Sequence, residues 1–205
     1  FKKKNISLFL DIEGFPYENS IQDIHIISER LKSYYNLLHH NNNNIIVTTY
    51  SSIIKKVINK KLIKSYFKEI NKETKYNTII NILKDFKYER TDKVLNKGEY
   101  SIKGPIIDIY NLLNDKPIRI NFDGDKVQSI KEFDINNQRS INEVDFLFLS
   151  PAVEFIIDDK AIKNYKKNVP LFFDQDYIND IEYSKVVSHY SHPHINNILP
   201  LFNNN

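Results

Sequence analysis

Hydrophobic positions change rhythm several times along the chain. Residues 6–10 form a short apolar run suited to a buried strand. Over residues 21–38, Ile24, Ile27, Leu31, Tyr34 and Leu38 fall at spacings of three and four, which is one face of a helix. After an asparagine run, the β-branched residues 45–49 predict a second strand. Ser51 or Ser52 is placed to cap a helix carrying Ile53, Ile54, Val57 and Ile58. Strand, helix, strand, helix is the order of a parallel α/β layer.

The pattern then shifts. Lys60, Lys61 and Lys64 mark a polar transition, and residues 67–70 suit a short strand. Residues 78–86 predict a helix with Ile79, Ile82, Leu83 and Phe86 inward. Three strands follow, at 100–110, 118–122 and 127–133, separated by turn signals at 114–117 and 123–125. Links this short force antiparallel neighbours, because a parallel pair needs a long crossover. An α+β unit with an antiparallel meander therefore interrupts the α/β layer. From Ile141 buried-type segments return. Residues 146–149 form an apolar run that Pro151 stops, and Asp158 or Asp159 is placed to start a helix through Tyr165. Pro170, Pro193 and Pro200 punctuate the irregular remainder.

Composition narrows the reading. Hydrophobic residues make up 41% and charged residues 27% of 205, a globular rather than disordered balance. The formal net charge is +3, so a basic site has to be local. There is no cysteine, which excludes disulfides and thiolate metal sites. No apolar run approaches the ~20 residues of a helical membrane span. The basic start F-K-K-K-N lacks the apolar stretch of a signal peptide, so a cytoplasmic address is expected. The missing methionine, even at position 1, suggests a segment of a longer protein or a processed chain. The excess of Asn, Ile and Lys matches an AT-rich genome, which makes the runs at 41–44 and 203–205 loop filler.

Candidate chemistry is sparse. A phosphate-binding loop needs glycines and a terminal Lys-Ser/Thr at a helix start; only four glycines exist and none is so arranged, so no ATP hydrolysis is expected. The run H-Y-S-H-P-H (189–194) offers three imidazoles, but Pro193 extends it and no supporting carboxylate is evident, so it reads as a surface loop, as does His39-His40. Asp158-Asp159 and the acids around Gly124 read as a cap and a turn. Glu99 and Asp108 have no nucleophile beside them. No cofactor and no metal are expected.

The cations are more informative. Alternation sends Ile118, Ile120 and Phe122 to one side and Arg119 and Asn121 to the other. In the strand before, Tyr100 and Ile102 pack inward while Ser101 and Lys103 look outward. If the strands pair, Lys103 and Arg119 share one exposed face. A nucleic-acid backbone, an acidic protein and water alone all remain possible counterparts.

The stretch G-E-Y-S-I-K-G-P-I-I-D-I-Y (98–110) with I-R-I-N-F-D-G-D-K-V-Q-S-I-K-E-F-D (118–134) resembles the UvrB-homology module of nucleotide excision repair proteins. P-Y-E (16–18), I-I-S-E-R-L (26–31), N-N-Q-R-S-I-N-E-V (136–144), L-S-P-A-V-E-F (149–155) and I-L-P-L-F (198–202) narrow the resemblance to the amino-terminal part of the bacterial transcription-repair coupling factors, the Mfd family. That resemblance implies a degenerate helicase-like (UvrB-like) α/β domain over residues 1–58, returning incomplete at 140–205. An inserted α+β domain at 59–139 would bind UvrA. It implies a non-catalytic recruitment role, with RNA polymerase and DNA engaged only by parts of the family protein absent from this chain. Arg90 falls at a UvrA-contacting arginine of UvrB-like domains, Ser101 where another often stands, and Lys103 and Arg119 on the interface the resemblance implies, with Tyr110 at its edge. The chain departs where many relatives have arginine (Lys103), an acid (Asn121) or an aromatic residue (Asp123). Lysine keeps the charge but loses the planar two-bond grip of a guanidinium. Three other readings follow from the residues: a direct nucleic-acid-binding module, a DNA-dependent ATPase of the UvrB kind, which the missing phosphate loop opposes, and a decayed remnant without a partner. The family also implies that the interface is masked in the intact protein until the motor engages.

Overall fold

The computed structural model describes residues 5–12, 23–39, 44–189 and 195–202. The P-Y-E motif, residues 41–43, the histidine run beyond His189 and the final asparagines lie outside the described residues, as does His40.

The chain opens as a β–α–β unit: β1 (Asn5–Phe9), α1 (Ile24–His39) and β2 (Asn44–Thr48). β1 and β2 pair in parallel, Ile6 opposite Ile45 and Leu8 opposite Val47. α1 covers one face of the pair, burying Ile27, Leu31 and Tyr34. Its Ser33 hydroxyl donates to the Leu8 carbonyl, and its Asn36 amide to the Ser7 hydroxyl. The other face leaves Ile6, Leu8, Ile45 and Val47 exposed.

The next helix is shorter than its apolar positions predict. α2 (Tyr50–Ile54) is capped by Thr49, whose hydroxyl accepts from the Ser52 amide, so neither Ser51 nor Ser52 is the cap. Lys55 is extended at φ −74, ψ 144, which leaves Val57 and Ile58 beyond the helix. The lysine-rich stretch after it is helical. Asn59 caps α3 (Lys60–Ser65) by accepting from the Leu62 amide at 2.9 Å.

β3 (Lys68–Ile70) and α4 (Tyr76–Asp85) lead into β4 (Glu89–Arg90), β5 (Glu99–Lys103), β6 (Ile106–Ile109), β7 (Ile118–Asp123), β8 (Lys126–Phe133) and β9 (Ser140–Val144). β4 to β9 form one six-stranded sheet in chain order, antiparallel except for the β4–β5 pair. Residues 100–110 are thus two strands rather than one. Gly104, at φ +58, and Pro105 turn the chain back on itself, and β6 comes to lie between β5 and β7. The sheet continues through β9, past residue 139.

β10 (Leu147–Leu149) pairs antiparallel with β3, not with the opening parallel pair. Asp158 then caps α5 (Asp159–Asn168), accepting from the Ala161 amide at 2.7 Å. Two 3-10 turns (Val169–Leu171 and Gln175–Asn179), α6 (Ile181–Val187), α7 (Ile195–Ile198) and a last 3-10 turn (Leu199–Phe202) complete the chain. No helix among the described residues is long and apolar enough to cross a membrane.

The core lies on one side of the large sheet. Ile107, Ile109, Ile118, Ile120 and Ile130 are fully buried with Ile79 and Leu83 of α4, and the Tyr76 ring stands edge-on to Phe122 at 4.9 Å. Each such side chain contributes roughly 1.5–3 kcal/mol by burial. Two buried polar knots hold distant segments to this core. In the first, Arg30 makes a two-bond fork to Glu154, both bonds 2.8 Å, and Tyr34 donates to the same carboxylate. In the second, the Asn111 Oδ1 accepts from the Ser150 amide and hydroxyl and from the Tyr88 hydroxyl, while its Nδ2 donates to the Phe148 carbonyl. Burial pushes the Tyr88 phenol well above its usual pKa, so it remains a hydroxyl.

Candidate interaction face

Opposite the apolar core, the six-stranded sheet presents a polar face whose composition is set by register. One cross-strand row reads Ser101, Asp108, Arg119, Lys131, Glu143. The neighbouring row reads Lys103, Ile106, Asn121, Ser129. Lys103 and Arg119 therefore share a face, as alternation predicts, but they stand in different rows with β6 between them.

Their surroundings differ. Lys103 is exposed. Arg119 is held on three sides: Nε and Nη2 donate to the two carboxylate oxygens of Asp108 at 2.8 and 2.9 Å, and Nη1 donates to the Gln138 carbonyl at 3.0 Å. Its guanidinium also lies 4.7 Å from the centre of the buried Phe133 ring. Asp108 is 3% exposed and the Arg119 side chain 20%. The hydrogen bonds it donates to Asp108 hold the guanidinium above its usual pKa, against the opposing effect of burial. Arg119 is a fixed, internally neutralised fork, not a free cation.

The remaining sequence-identified residues are scattered. Ser101 has the parity of this face but is buried. Arg90 is exposed on the two-residue edge strand β4, and its register partner is Tyr100, in the row that faces the core. Tyr110 follows β6 and is half-buried, its hydroxyl donating to the Asp115 carbonyl at 2.9 Å. Lys97 lies 5.9 Å from the Tyr110 ring and donates to the Ser28 hydroxyl and the Leu112 carbonyl, both at 3.0 Å. Burial, and then the neighbouring Lys32, depress the Lys97 pKa. The structure thus brings Lys103 and Arg119 onto one surface and leaves Arg90 at a different edge.

Residues that sequence reasoning passed over matter more to the geometry than some it named. Asp108 and Gln138 orient Arg119, and Phe133 backs it. A lone carboxylate in the run I-I-D-I was the available signal, because a buried acid needs a cation. On the same surface Asn121 donates to the Ser129 hydroxyl at 2.9 Å, and Lys131 stands 3.8 Å from Glu143. Asp123 is exposed at the end of β7. The face mixes both signs and is not a basic stripe.

Elsewhere, the acidic and imidazole groups serve local structure. His189 donates from Nδ1 to the Ile157 carbonyl and lies 3.4 Å from Asp159. Asp125 offers its backbone carbonyl to the Tyr76 amide. Among the described residues no three His, Asp or Glu side chains converge on a metal-sized site.

Comparison with known proteins places the sheet. Residues 68–155 match the family model described as the UvrB interaction domain, a span running from β3 through the six-stranded sheet and β10 to Phe155. The chain is 31% identical over 201 residues to a transcription-repair-coupling factor of Rickettsia typhi, which covers 97% of this chain and 18% of that protein. The counterpart from Escherichia coli is 25% identical over 168 residues, 81% of this chain and 14% of the relative. That of Bacillus subtilis is 45% identical over 76 residues, 36% of this chain and 6% of the relative. The chain spans less than a fifth of the length of the curated relatives it matches.

Proposed function

We propose that this chain, a homologue of a segment of the transcription-repair-coupling factors with a UvrB interaction domain at its centre, is a recruitment unit that binds UvrA through the polar face of the six-stranded sheet and performs no catalysis of its own. In the relatives' full length, such a contact would bring excision repair to a stalled RNA polymerase.

The observation that carries this reading is the presence, on one face of the sheet, of an exposed Lys103 and of an Arg119 already fixed in place and partly exposed. Lys103 supplies the charge that can pair with a partner carboxylate. Arg119 and Asp108 supply a rigid polar relief that needs little ordering on contact. Ser101 is buried within this face and Tyr110 follows β6 at its margin, while Arg90 stands at a different edge of the sheet. The insert that bears it is placed at residues 59–139, and β9 continues its sheet beyond that boundary. The parallel pair with α1, and the segment after Val144, serve as a degenerate helicase-like scaffold.

Binding of purified UvrA to the parent chain and to Lys103→Glu tests the proposal. Reversal of an exposed cation at the interface is expected to weaken binding roughly tenfold, with most of the loss at low salt. Its thermal midpoint should match the parent, because Lys103 has no structural duty. Unchanged affinity removes the face from consideration. Arg119→Glu is the poorer probe, since it sets a carboxylate against Asp108 and destabilises the sheet itself. Direct binding of nucleic acid is the second reading, and the alternation of Asp108, Glu143 and Asp123 with the cations opposes it. A steep, sequence-independent fall of DNA affinity with salt would favour that reading instead.

A further inference from the structure

The stretch L-F-F-D-Q-D-Y-I-N-D-I-E, residues 171–182, combines two properties that surface segments seldom share. Leu171, Phe172, Phe173, Ile178 and Ile181 are 53–70% exposed. The stretch also contains Asp174, Asp176, Asp180 and Glu182 and no lysine or arginine. It is not a loose tail. The second 3-10 turn packs on the first and on α6, the Tyr177 and Tyr183 rings meet edge-on at 5.1 Å, and Tyr183 stacks on Tyr165 of α5 at 5.7 Å. Five large side chains exposed to that degree present on the order of 600 Å² of surface, at the upper end for the largest patch of a monomer.

The helix just before it carries the opposite charge. Lys160, Lys163 and Lys167 lie at i, i+3 and i+7 on the exposed side of α5, with Lys166 beside them, while Ala161, Ile162, Tyr165 and Asn168 are buried. Among the described residues none of these lysines is in an ion pair, nor is Asp174 or Asp176. One chain thus offers a basic stripe and, adjoining it, an acidic apolar patch that do not satisfy each other.

We propose that the chain self-associates as a two-fold dimer in which segment 171–182 of one copy packs against the α5 lysine stripe of the other, and the reverse. A two-fold axis uses each surface twice, so a single contact geometry satisfies both. Burying two such patches with their facing stripes removes about 1,200 Å² or more from solvent, the size at which specific interfaces begin. Nucleic acid and anionic membranes fit poorly, because the acids that ring the apolar residues repel phosphate.

Sedimentation velocity of the chain from about 1 to 100 μM, a range bracketing moderate affinities, reads the result directly. A monomer–dimer equilibrium is expected, weakened roughly tenfold between low and high salt as the charges are screened. Phe172→Asp with Phe173→Asp should be monomeric throughout, with circular dichroism and thermal midpoint unchanged because both rings are exposed. A charge exchange makes the test specific and keeps it valid should that variant misfold. Lys163→Glu/Lys167→Glu alone and Asp174→Lys/Asp176→Lys alone should each remain monomeric, and an equimolar mixture should form a heterodimer. A parent chain that is monomeric at every concentration overturns the proposal. So does a dimer indifferent to the phenylalanine substitutions, a mixture that stays monomeric, or a monomeric chain whose patch engages only a different protein.

Discussion

Replacing Glu154 with glutamine removes one charge and almost no volume from the most enclosed ion pair among the described residues. The Arg30 side chain is 3% exposed and that of Glu154 is 0%. In the parent, Nε and Nη2 of Arg30 both donate to the carboxylate, Nη1 donates to the Leu10 carbonyl and the Ser52 hydroxyl, and the guanidinium lies 3.9 Å from the Phe9 ring centre. In Glu154→Gln these neutral partners persist, and the amide oxygen still accepts a bond from Tyr34 or Arg30. The cation, however, is left inside without its anion. Breaking a buried pair in this way costs about 3–5 kcal/mol, and the retained acceptor points to the lower end, about 3. Against a total stability of about 5–15 kcal/mol this is a large share, and in a chain of this length it lowers the midpoint by roughly 6–12 °C. Urea denaturation followed by circular dichroism measures the difference, with the slope unchanged if the unfolded state is unaffected. The double replacement Arg30→Met/Glu154→Leu should recover most of the loss, since no charge is then buried. If Glu154→Gln lies within 1 kcal/mol of the parent, or the double variant is no better than the single one, the pair does not clamp α1 to the return segment.

Three further outcomes are expected. Gly98 sits at φ +85 with space for a Cβ at ordinary distances, 3.4 Å from Ala152 and 3.5 Å from Ile24, so Gly98→Ala should cost about 1–2 kcal/mol from backbone strain alone; a neutral result in thermal unfolding refutes this. Asn111→Ala strips an acceptor from Ser150 and Tyr88 and a donor from Phe148 in a site with no solvent, and about 2–3 kcal/mol should be lost; chemical denaturation showing less than 1 counts against the knot. Burial tends to raise the Glu99 pKa, but hydrogen bonds from the Leu95 and Asn96 amides and the Asn96 side chain outweigh it and hold the carboxyl below its ordinary value. The unfolded chain then binds the proton first as pH falls, so this stabilisation is complete at neutral pH and is lost below about 4, through the lowered native value. Glu99→Gln should flatten the stability–pH curve in that acid window and leave its shape above pH 6 alone.

Much of the large sheet was legible because its strands alternate cleanly. Ile118, Ile120 and Phe122 against Arg119 and Asn121 leave one assignment of faces, and the structure has it. α1 was legible for the same reason at a different period, and Asp158 was legible as a cap by its chemistry. The β5–β6 hairpin was not, because apolar residues continue through 106–109 and conceal the turn at Gly104-Pro105. That omission carried over to the candidate face: with β6 unseen, Asp108 had no place beside Arg119, and the arginine read as free. α3 was hidden by its own lysines, since a helix of six residues shows too little periodicity to outweigh them. The Arg30–Glu154 pair joins residues 124 positions apart and leaves no local signal.

The long-range contacts of α1 also have a bearing on biogenesis. Arg30 meets Glu154, and the Ser28 hydroxyl meets the Leu112 carbonyl, so α1 finds these two counterparts only once synthesis has passed positions 112 and 154. Until then a nascent chain holds an unneutralised guanidinium beside an uncovered aliphatic stripe, the condition under which late-closing contacts slow folding and invite aggregation. Premature termination anywhere before position 154 should therefore yield a species that chaperones retain or proteases clear.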